Sequence, residues 1–457
     1  MFSVDTEAPQ DLANIVYNIE QAPSWPNVLG LGVQYLVIFL PLIIAPLLTI
    51  GAHAVPQYPI YNIVFIAMIG TAVATLLIAS KRLLGAGVFL PVTYATPLFA
   101  VSLIVSHTSN FATILGIGIL AGAFQMLLCP LIRWIKPVFN RELAGFITML
   151  LGLWVAQMGV IALFLPEQLT PFLFHPSEMP LAHINADHLL AGLLALMVML
   201  LCRLRGTIKS RMFCILCGSI VGWAVAWLCG MLNANRLTLL EHAPWWHVFH
   251  INEWVTPQIN WHFTLPCIIA AVIMTLQVLS MIAMIQDDCD GIKHGPELRK
   301  LVSRGNFSAG LSLMVSSCLG APQAPNPGAF GVLSSTGVYT RKLAYVYAGF
   351  LVLLAFSPKL SFLFITIPAS VRGATILFMG SAMFMHGLHV MKVERMTRFH
   401  AVVFALSLLV GASMSIIPSF YHTHLLWLAG ITNPVFFIAI CLYLVLHLSI
   451  KKKPETR

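Results

Sequence analysis

The sequence predicts an all-α polytopic membrane protein with about fourteen transmembrane segments, on three observations. Of its 457 residues, 59% are hydrophobic and only 9% are charged. Mean hydropathy is +0.88. Apolar stretches of about 20 residues, the length a helix needs to cross a hydrocarbon core, recur along the chain. No soluble domain hides that much apolar surface, so the bilayer is the solvent.

Taken in order, the spans fall near 29–50, 60–79, 86–105, 111–129, 143–164, 188–202, 212–232, 263–285, 307–319, 329–340, 343–357, 370–391, 399–417 and 425–447. The third, ninth and tenth are short or interrupted, the third by Pro91 and Pro97. Residues 1–28 hold Asp5, Glu7, Asp11 and Glu20 but no Lys or Arg, and lack the basic start and apolar core of a signal peptide. They read as a cytoplasmic lead-in, and 448–457 as a cytoplasmic tail.

The net charge of +9 reports orientation rather than a polyanionic partner. Lys81, Arg82, Arg133, Lys136, Arg203, Arg205, Lys293, Arg299, Arg341, Lys392 and Lys451 fall in alternate loops, whereas only Arg236, Lys359 and Arg372 fall on the other side. By the positive-inside rule both termini are cytoplasmic and the span count is even. The expected location is the plasma membrane, or the inner membrane of a bacterium, with lipid as a partner and no nucleic acid.

Nine cysteines are scattered, mostly within spans. Cys214 and Cys217 form C-x-x-C inside an apolar segment and read as small packing residues. The outer loops, 165–187 and 233–262, concentrate Trp245, Trp246, His247, His250, Trp254, Trp261 and His262. Interfacial anchoring explains the tryptophans, and the histidine spacing does not support a metal site. No metal and no cofactor is expected. Without a nucleophile–base set or a phosphate loop, neither is an enzyme.

The most informative stretch runs from Gly320 to Arg341, GAPQAPNPGAFGVLSSTGVYTR, between two apolar runs. Pro322, Pro325 and Pro327, with Gly320, Gly328 and Gly331, forbid a continuous helix. Backbone left unpaired at membrane depth is tolerated only where protein or an aqueous cavity satisfies it, and a broken helix of this kind points to a transporter's binding site.

Several motifs resemble the nucleobase–ascorbate transporters, the xanthine/uracil permease family. FSPKLSFLFITIPASVRGATILFMGSAMFMHGL (Phe356–Leu388) resembles the region where a span ends at a Pro, an amphipathic segment ends in I-P, and V-x-G-G opens the next span. STGVYTR (Ser335–Arg341) resembles the T-G-V-x-S-R that follows the tenth span, and LGLGVQYLVIF (Leu29–Phe39) resembles the first-span pattern. LPV at Leu90–Val92 with TYATPLFA matches the third-span entry more loosely. The resemblance implies two inverted 7-span repeats, with a short strand plus half-helix in spans 3 and 10. It also implies an elevator-type alternating-access transporter of a nucleobase (a purine, xanthine, uric acid or a uracil-like solute) that commonly dimerises. The implied division is core at 29–130, gate at 131–232, an external loop at 233–262, core at 263–357 and gate at 358–447.

The chain departs from that family where proton chemistry is expected. Aligning TLQVLSMIAMI on L-E-x-x-G-D puts Gln277 at the substrate-binding glutamate and Met281 at the second acid, and Ala309 stands where many members carry Asp or Asn. The tenth-span signature pair falls on Gly328 and Ala329 when aligned backwards from STGVYTR, or on Pro325 and Asn326 when aligned forwards on P-N-x-G. No carboxylate lies in the middle of a predicted span. Gln277 cannot titrate, yet its amide donates and accepts at once, which suits a planar heterocycle. The expectation is therefore a neutral solute moved without carboxylate-driven proton coupling.

The candidate substrate-binding residues are Gln277, Gln34, Tyr35, Tyr94, Thr96, Ala329, Phe330, Gly331, Ser334, Ser335 and Thr336. Thr93 lies beside them at the third half-helix. Ser334, Ser335 and Thr336 face either the ligand or their own turn carbonyls. His386 is the candidate coupling group because imidazole titrates near neutrality. Arg372 either snorkels to the outer headgroups or contacts an anion. The competing readings are an anion transporter on the same inverted-repeat architecture, and a transport-inactive membrane sensor.

Overall fold

The computed structural model describes residues 15–54, 60–81, 85–131, 141–164, 186–232, 234–290, 296–391 and 401–409. Four elements open the chain: α1 (Trp25–Ala54), α2 (Ile60–Ala79), the strand β1 (Val92–Tyr94) and α3 (Thr96–Thr108). Then come α4 (Phe111–Leu131), α5 (Arg141–Phe164), α6 (Ala186–Arg205), α7 (Ile208–Met212), α8 (Cys214–Leu228) and α9 (Ala234–His242). The rest is α10 (Thr264–Asp290), α11 (Pro296–Cys318), the strand β2 (Gln323–Pro325), α12 (Gly328–Thr336), α13 (Lys342–Ala355), α14 (Pro358–Ile365) and α15 (Ala369–Met391). Residues 401–409 are also helical. By length and hydropathy seven of the described helices can cross a membrane, or eight if the α13–α14 pair, bent by 112°, counts as one. The predicted segment 425–447 lies outside the described residues.

Helix–helix contact in a bilayer depends on close packing rather than on water exclusion, so small residues mark the seams. Gly145, Gly152 and Gly159 recur every seven residues on α5, and Gly373, Gly380 and Gly387 do so on α15. They pair in opposite order. A Cβ on Gly145 would lie 3.1 Å from the Gly387 carbonyl oxygen, and Cβ atoms on Gly152 and Gly159 would lie 2.8 Å from those of Gly380 and Gly373. The two helices are therefore antiparallel, with their backbones in near contact. Gly122 on α4 and Gly310 on α11 make a similar approach, each Cβ position falling 2.7–2.8 Å from the other's carbonyl oxygen.

Several boundaries differ from the sequence expectation, each for a local reason. Helix α11 starts eleven residues before the predicted 307, since hydropathy rejects Glu297, Arg299, Lys300 and Arg304 although all four lie on the helix. Arg304 donates through Nη2 to the Lys81 carbonyl at 2.8 Å. Helix α10 runs past the predicted 285 through three aspartates to Asp290. The predicted seventh segment, 212–232, corresponds to α8, preceded across a break at Phe213 by the short α7, which the Thr207 hydroxyl caps by accepting from Ser210 N–H. The 233–262 loop contains a helix, α9, of alternating polarity.

The N-terminal lead-in forms a strap. Tyr17 bridges Val338 in parallel. Val16 N–H donates to the Gly337 carbonyl and Tyr339 N–H to that of Tyr17, both at 2.8 Å. Glu20 pairs with Lys81 and with Arg341, the latter at 3.3 Å. These bonds satisfy backbone released where α12 ends.

Candidate functional site

The Pro/Gly-rich stretch lies inside the protein, with every residue from Gly320 to Thr340 buried. Its strand β2 pairs antiparallel with β1, Val92 opposite Pro325, Thr93 opposite Ala324 and Tyr94 opposite Gln323. Flanking bonds extend the crossing: Ala95 N–H donates to Pro322 O at 2.9 Å and Asn326 N–H to Pro91 O at 3.1 Å. Each strand leads into a half-helix, β1 into α3 and β2 into α12. The first turn of a helix carries partial positive charge, so two positive helix ends meet near the strand pair. In α12 the N–H groups of Ala329 and Phe330 are held by the Asn326 and Pro327 carbonyls at 3.0 and 3.2 Å. Proline explains the geometry, because Pro97 is tolerated only in a first turn and Pro325 and Pro327 bar helix before Gly328. Gly337, at φ 70, stops α12 in the left-handed conformation and turns the chain toward the strap.

Side chains lock this crossing. Asn326 donates through Nδ2 to Thr93 Oγ1 at 2.8 Å and accepts from Gly328 N–H on Oδ1 at 2.8 Å. Gln323 donates through Nε2 to the Ala67 carbonyl at 3.1 Å, contacts Thr71, and its N–H donates to Ser316 Oγ at 3.2 Å. The strand pair is thereby tied to α2 and α11.

The sequence-predicted residues distribute unevenly around this centre. Gln277 on α10 is 2% exposed, and its Nε2 has no hydrogen-bond partner. Tyr94 lies on β1 with its ring edge-on to Phe99, centroids 5.9 Å apart. Thr96 is the half-buried first residue of α3. Ala329, Phe330 and Gly331 form the buried first turn of α12. Phe330 meets the His386 ring at 4.9 Å, and a Cβ on Gly331 would lie 2.5 Å from the Met379 carbonyl oxygen, so α12 lies directly on α15.

Adjacent positions on α1 point apart. Gln34 accepts from Leu216 N–H at 3.2 Å, at the open N-terminus of α8, and its Nε2 is left without a partner. Tyr35 instead packs among Phe39, Phe89 and Tyr347, 4.8 Å from Phe89. The structure thus does not bring the two to one place. Ser334, Ser335 and Thr336 bond the carbonyls of Gly331, Val332 and Val332 at 3.4, 3.0 and 2.7 Å. Of their two sequence-level readings, these bonds are the local one. Arg372 is half-buried in the first turn of α15.

Hydropathy missed one group. Asp288 sits 7% exposed near the end of α10. It accepts on Oδ2 from Tyr339 Oη at 2.6 Å, and its Oδ1 lies 3.3 Å from His386 Nε2. The span assignment stopped at 285, before the aspartates. Helical periodicity held a signal, since eleven residues at 100° each return Asp288 to within about 20° of Gln277's face, about 16 Å further along the axis.

Residues 27–420 match the permease-family model for xanthine and uracil permeases. The xanthine permease XanP of Escherichia coli (strain K12) is 24% identical over 423 residues, covering 88% of this chain and 87% of that protein. The uric acid permease PucJ of Bacillus subtilis (strain 168) is 24% identical over 409 residues, covering 86% of each. Among solved structures, the transmembrane domain of the cyanobacterium bicarbonate transporter BicA superposes with a TM-score of 0.50 at 16% identity, covering 94% of this chain and 98% of that one. Murine SLC26A9, an anion transporter in the inward-facing state, gives 0.53 at 12% identity, covering 94% and 69%. At such identities the two structures speak to the fold alone.

Proposed function

The chain belongs to the xanthine/uracil permease family, and from that premise we propose that it carries a nucleobase of the xanthine or uric acid class across the plasma membrane, with the half-helix crossing as its binding site. The observation that carries this reading is the buried strand pair β1–β2, from which two half-helices start with the positive ends of their dipoles at the crossing, in a chain of transport-family membership. A heterocycle rich in carbonyl oxygens matches the partial positive charge at helix N-termini, and the Gln277 amide, its Nε2 without a partner, adds a donor–acceptor group of the kind a ring edge needs. Because Gln277 does not titrate, the solute moves without a proton bound at the ligand site. Tyr94, Thr96, Ala329, Phe330 and Gly331 complete the proposed contacts. Gln34 and Tyr35 serve the packing of α1.

The mechanism is an elevator. Residues 29–130 and 263–357 form the moving core, 131–232 and 358–447 the gate, in fourteen spans with both termini cytoplasmic, the gate mediating a homodimer. Support for two inverted repeats comes from strand-plus-half-helix units occurring twice with antiparallel strands, and from glycine triplets on α5 and α15 that pair in reverse order. The α5–α15 seam is the fixed spine, and α12 rests on it through ring and backbone contacts that can slide.

Uptake of labelled xanthine, uric acid, adenine, guanine and uracil into liposomes holding the purified chain tests the reading. Saturable uptake of at least one, without accumulation under a pH gradient, is expected. Sulfate or bicarbonate flux in place of nucleobase uptake, lost in Arg372→Ala, would replace it with the anion reading. Binding without any flux would make the chain a sensor.

A further inference from the structure

The buried Asp288–His386 pair joins two parts of the chain that the elevator reading requires to move past each other. Asp288 lies on α10 and Tyr339 just beyond α12, both in the proposed core, whereas His386 lies on α15 of the proposed gate. Asp288 and His386 are each 7% exposed, their oxygen and nitrogen 3.3 Å apart, and Tyr339 fixes the other carboxylate oxygen at 2.6 Å. Phe330, in the first turn of α12, meets the same imidazole edge-on at 4.9 Å. One histidine thus touches the half-helix of the ligand site and a buried carboxylate three turns from Gln277.

Among the described residues other polar contacts span the same divide. Gln34 accepts from Leu216 N–H, Ser280 meets Thr148 at 2.5 Å, and Arg203 donates to the Ser334 carbonyl at 3.5 Å. None of these groups changes charge between about pH 5 and pH 8, whereas an imidazole does. Other titratable groups nearby are Asp287 and Cys289 on α10, His389 on α15, and Tyr35 and Arg203, which face Tyr339 from α1 and α6. Arg211 on α7 stands behind Arg203, and Arg304 on α11 is committed to the Lys81 carbonyl. The side chains of Arg141 and Glu142 at the start of α5 lie outside the described residues.

We propose that Asp288 and His386 form a proton-controlled latch between core and gate, closed when the imidazole is charged and opened on each transport cycle. The proton enters and leaves the imidazole from one solution, so it sets the rate of movement without driving accumulation. An ion pair in a site this dry is strong when both charges are present, and losing one charge removes its attraction. Transport therefore slows as pH falls through the imidazole range. This inference rests on the transport reading above, and its test separates the two.

The test measures xanthine and uric acid uptake by the full chain in liposomes with equal pH on both sides, stepped from about pH 5.5 to about pH 8.5 across the imidazole range. Wild type should be roughly tenfold slower at the acid end, the ratio for one pH unit's worth of differential interaction. His386→Gln and Asp288→Asn should flatten the profile at the fast limit, and His386→Lys, charged throughout, should flatten it at the slow limit. A flat wild-type profile, or variant profiles that track wild type, overturns the latch. Absence of uptake at every pH instead overturns the transport reading, and the latch is then decided by melting temperature. The wild-type value minus that of His386→Gln should grow as pH falls, and a constant difference overturns the proposal. If the glutamine variant does not fold, His386→Lys decides, its difference from wild type shrinking as pH falls.

Discussion

Asn326 on one strand end holds Thr93 on the other, its Nδ2 donating at 2.8 Å while its Oδ1 accepts from Gly328 N–H to start α12. One side chain therefore sets both the strand register and the position of a half-helix terminus. Asn326→Ala removes two buried hydrogen bonds, leaving Gly328 N–H unmatched and Thr93 Oγ1 with only its 3.4 Å bond to the Tyr94 carbonyl, at a cost of about 1–3 kcal/mol. The expected outcome is a folded protein with a lowered melting temperature and uptake reduced more than tenfold. Asn326→Asp keeps the acceptor for Gly328 N–H, and its second oxygen can accept from the Thr93 hydroxyl, so it should restore most of both links.

The α5–α15 seam tolerates no side chain. A Cβ at Gly380 would lie 2.7 Å from the Gly152 carbonyl oxygen and 2.8 Å from the Ala156 Cα, both rigid backbone atoms. Gly380→Ala should destabilise by about 1–3 kcal/mol through forced separation of the helices. Gly349 on α13 is the control, with nothing within 4 Å of its Cβ position. There the alanine gains helix propensity of about 0.5–1 kcal/mol, so melting should hold or rise. Equal effects at both positions would mean that the glycine spacing has no packing role.

How far the sequence could be read follows from which forces leave a one-dimensional trace. Burial in lipid does, so α2, α4, α5 and α15 fell within a few residues of the predicted spans. The helix-breaking prolines and glycines do as well, and they ruled out a continuous helix across the 320–341 stretch, whereas its strand and half-helix were implied by the family resemblance. Hydropathy fails where charge is buried by pairing: it truncated α10 before Asp288, whose charge is met by Tyr339 and His386 more than 50 residues away in sequence. Asn326 stayed ambiguous for a related reason, since its partner Thr93 lies 233 residues upstream. The seven-residue glycine spacing was present in the sequence, but a seam needs two such stripes facing each other.

The outer loop should give the fold its own acid sensitivity. His247 Nε2 lies 2.5 Å from Asn62 Oδ1, binding the loop to the start of α2. Burial, then the neighbouring His250, holds its imidazole below the ordinary value, and Glu253 opposes them. A histidine whose folded value is depressed binds its proton more readily when unfolded, so its contribution is complete above the ordinary imidazole range and fades as pH falls through the folded value. Melting temperature should therefore drop between about pH 7 and about pH 5, and His247→Asn should flatten part of that slope. A slope unchanged in the variant would assign the acid sensitivity to other groups.

Gln277 is the side chain on which the ligand reading turns, because a buried amide with an unmatched donor is costly unless something completes it. A bound heterocycle completing it predicts two separable effects. Gln277→Ala removes the unmatched atoms, so the empty protein should melt no lower by more than about 1 kcal/mol of cavity cost, while affinity for the preferred nucleobase falls by about tenfold to a hundredfold. Gln277→Glu keeps the shape and adds a titrating group at the ligand. Affinity for a base that offers N–H donors should then persist at neutral pH, and one that offers only carbonyl oxygens should be rejected. The binding measurement, made by the rise in melting temperature with added base, decides the matter without requiring transport. If alanine leaves every base's effect unchanged, Gln277 belongs to helix packing and is no part of the ligand site.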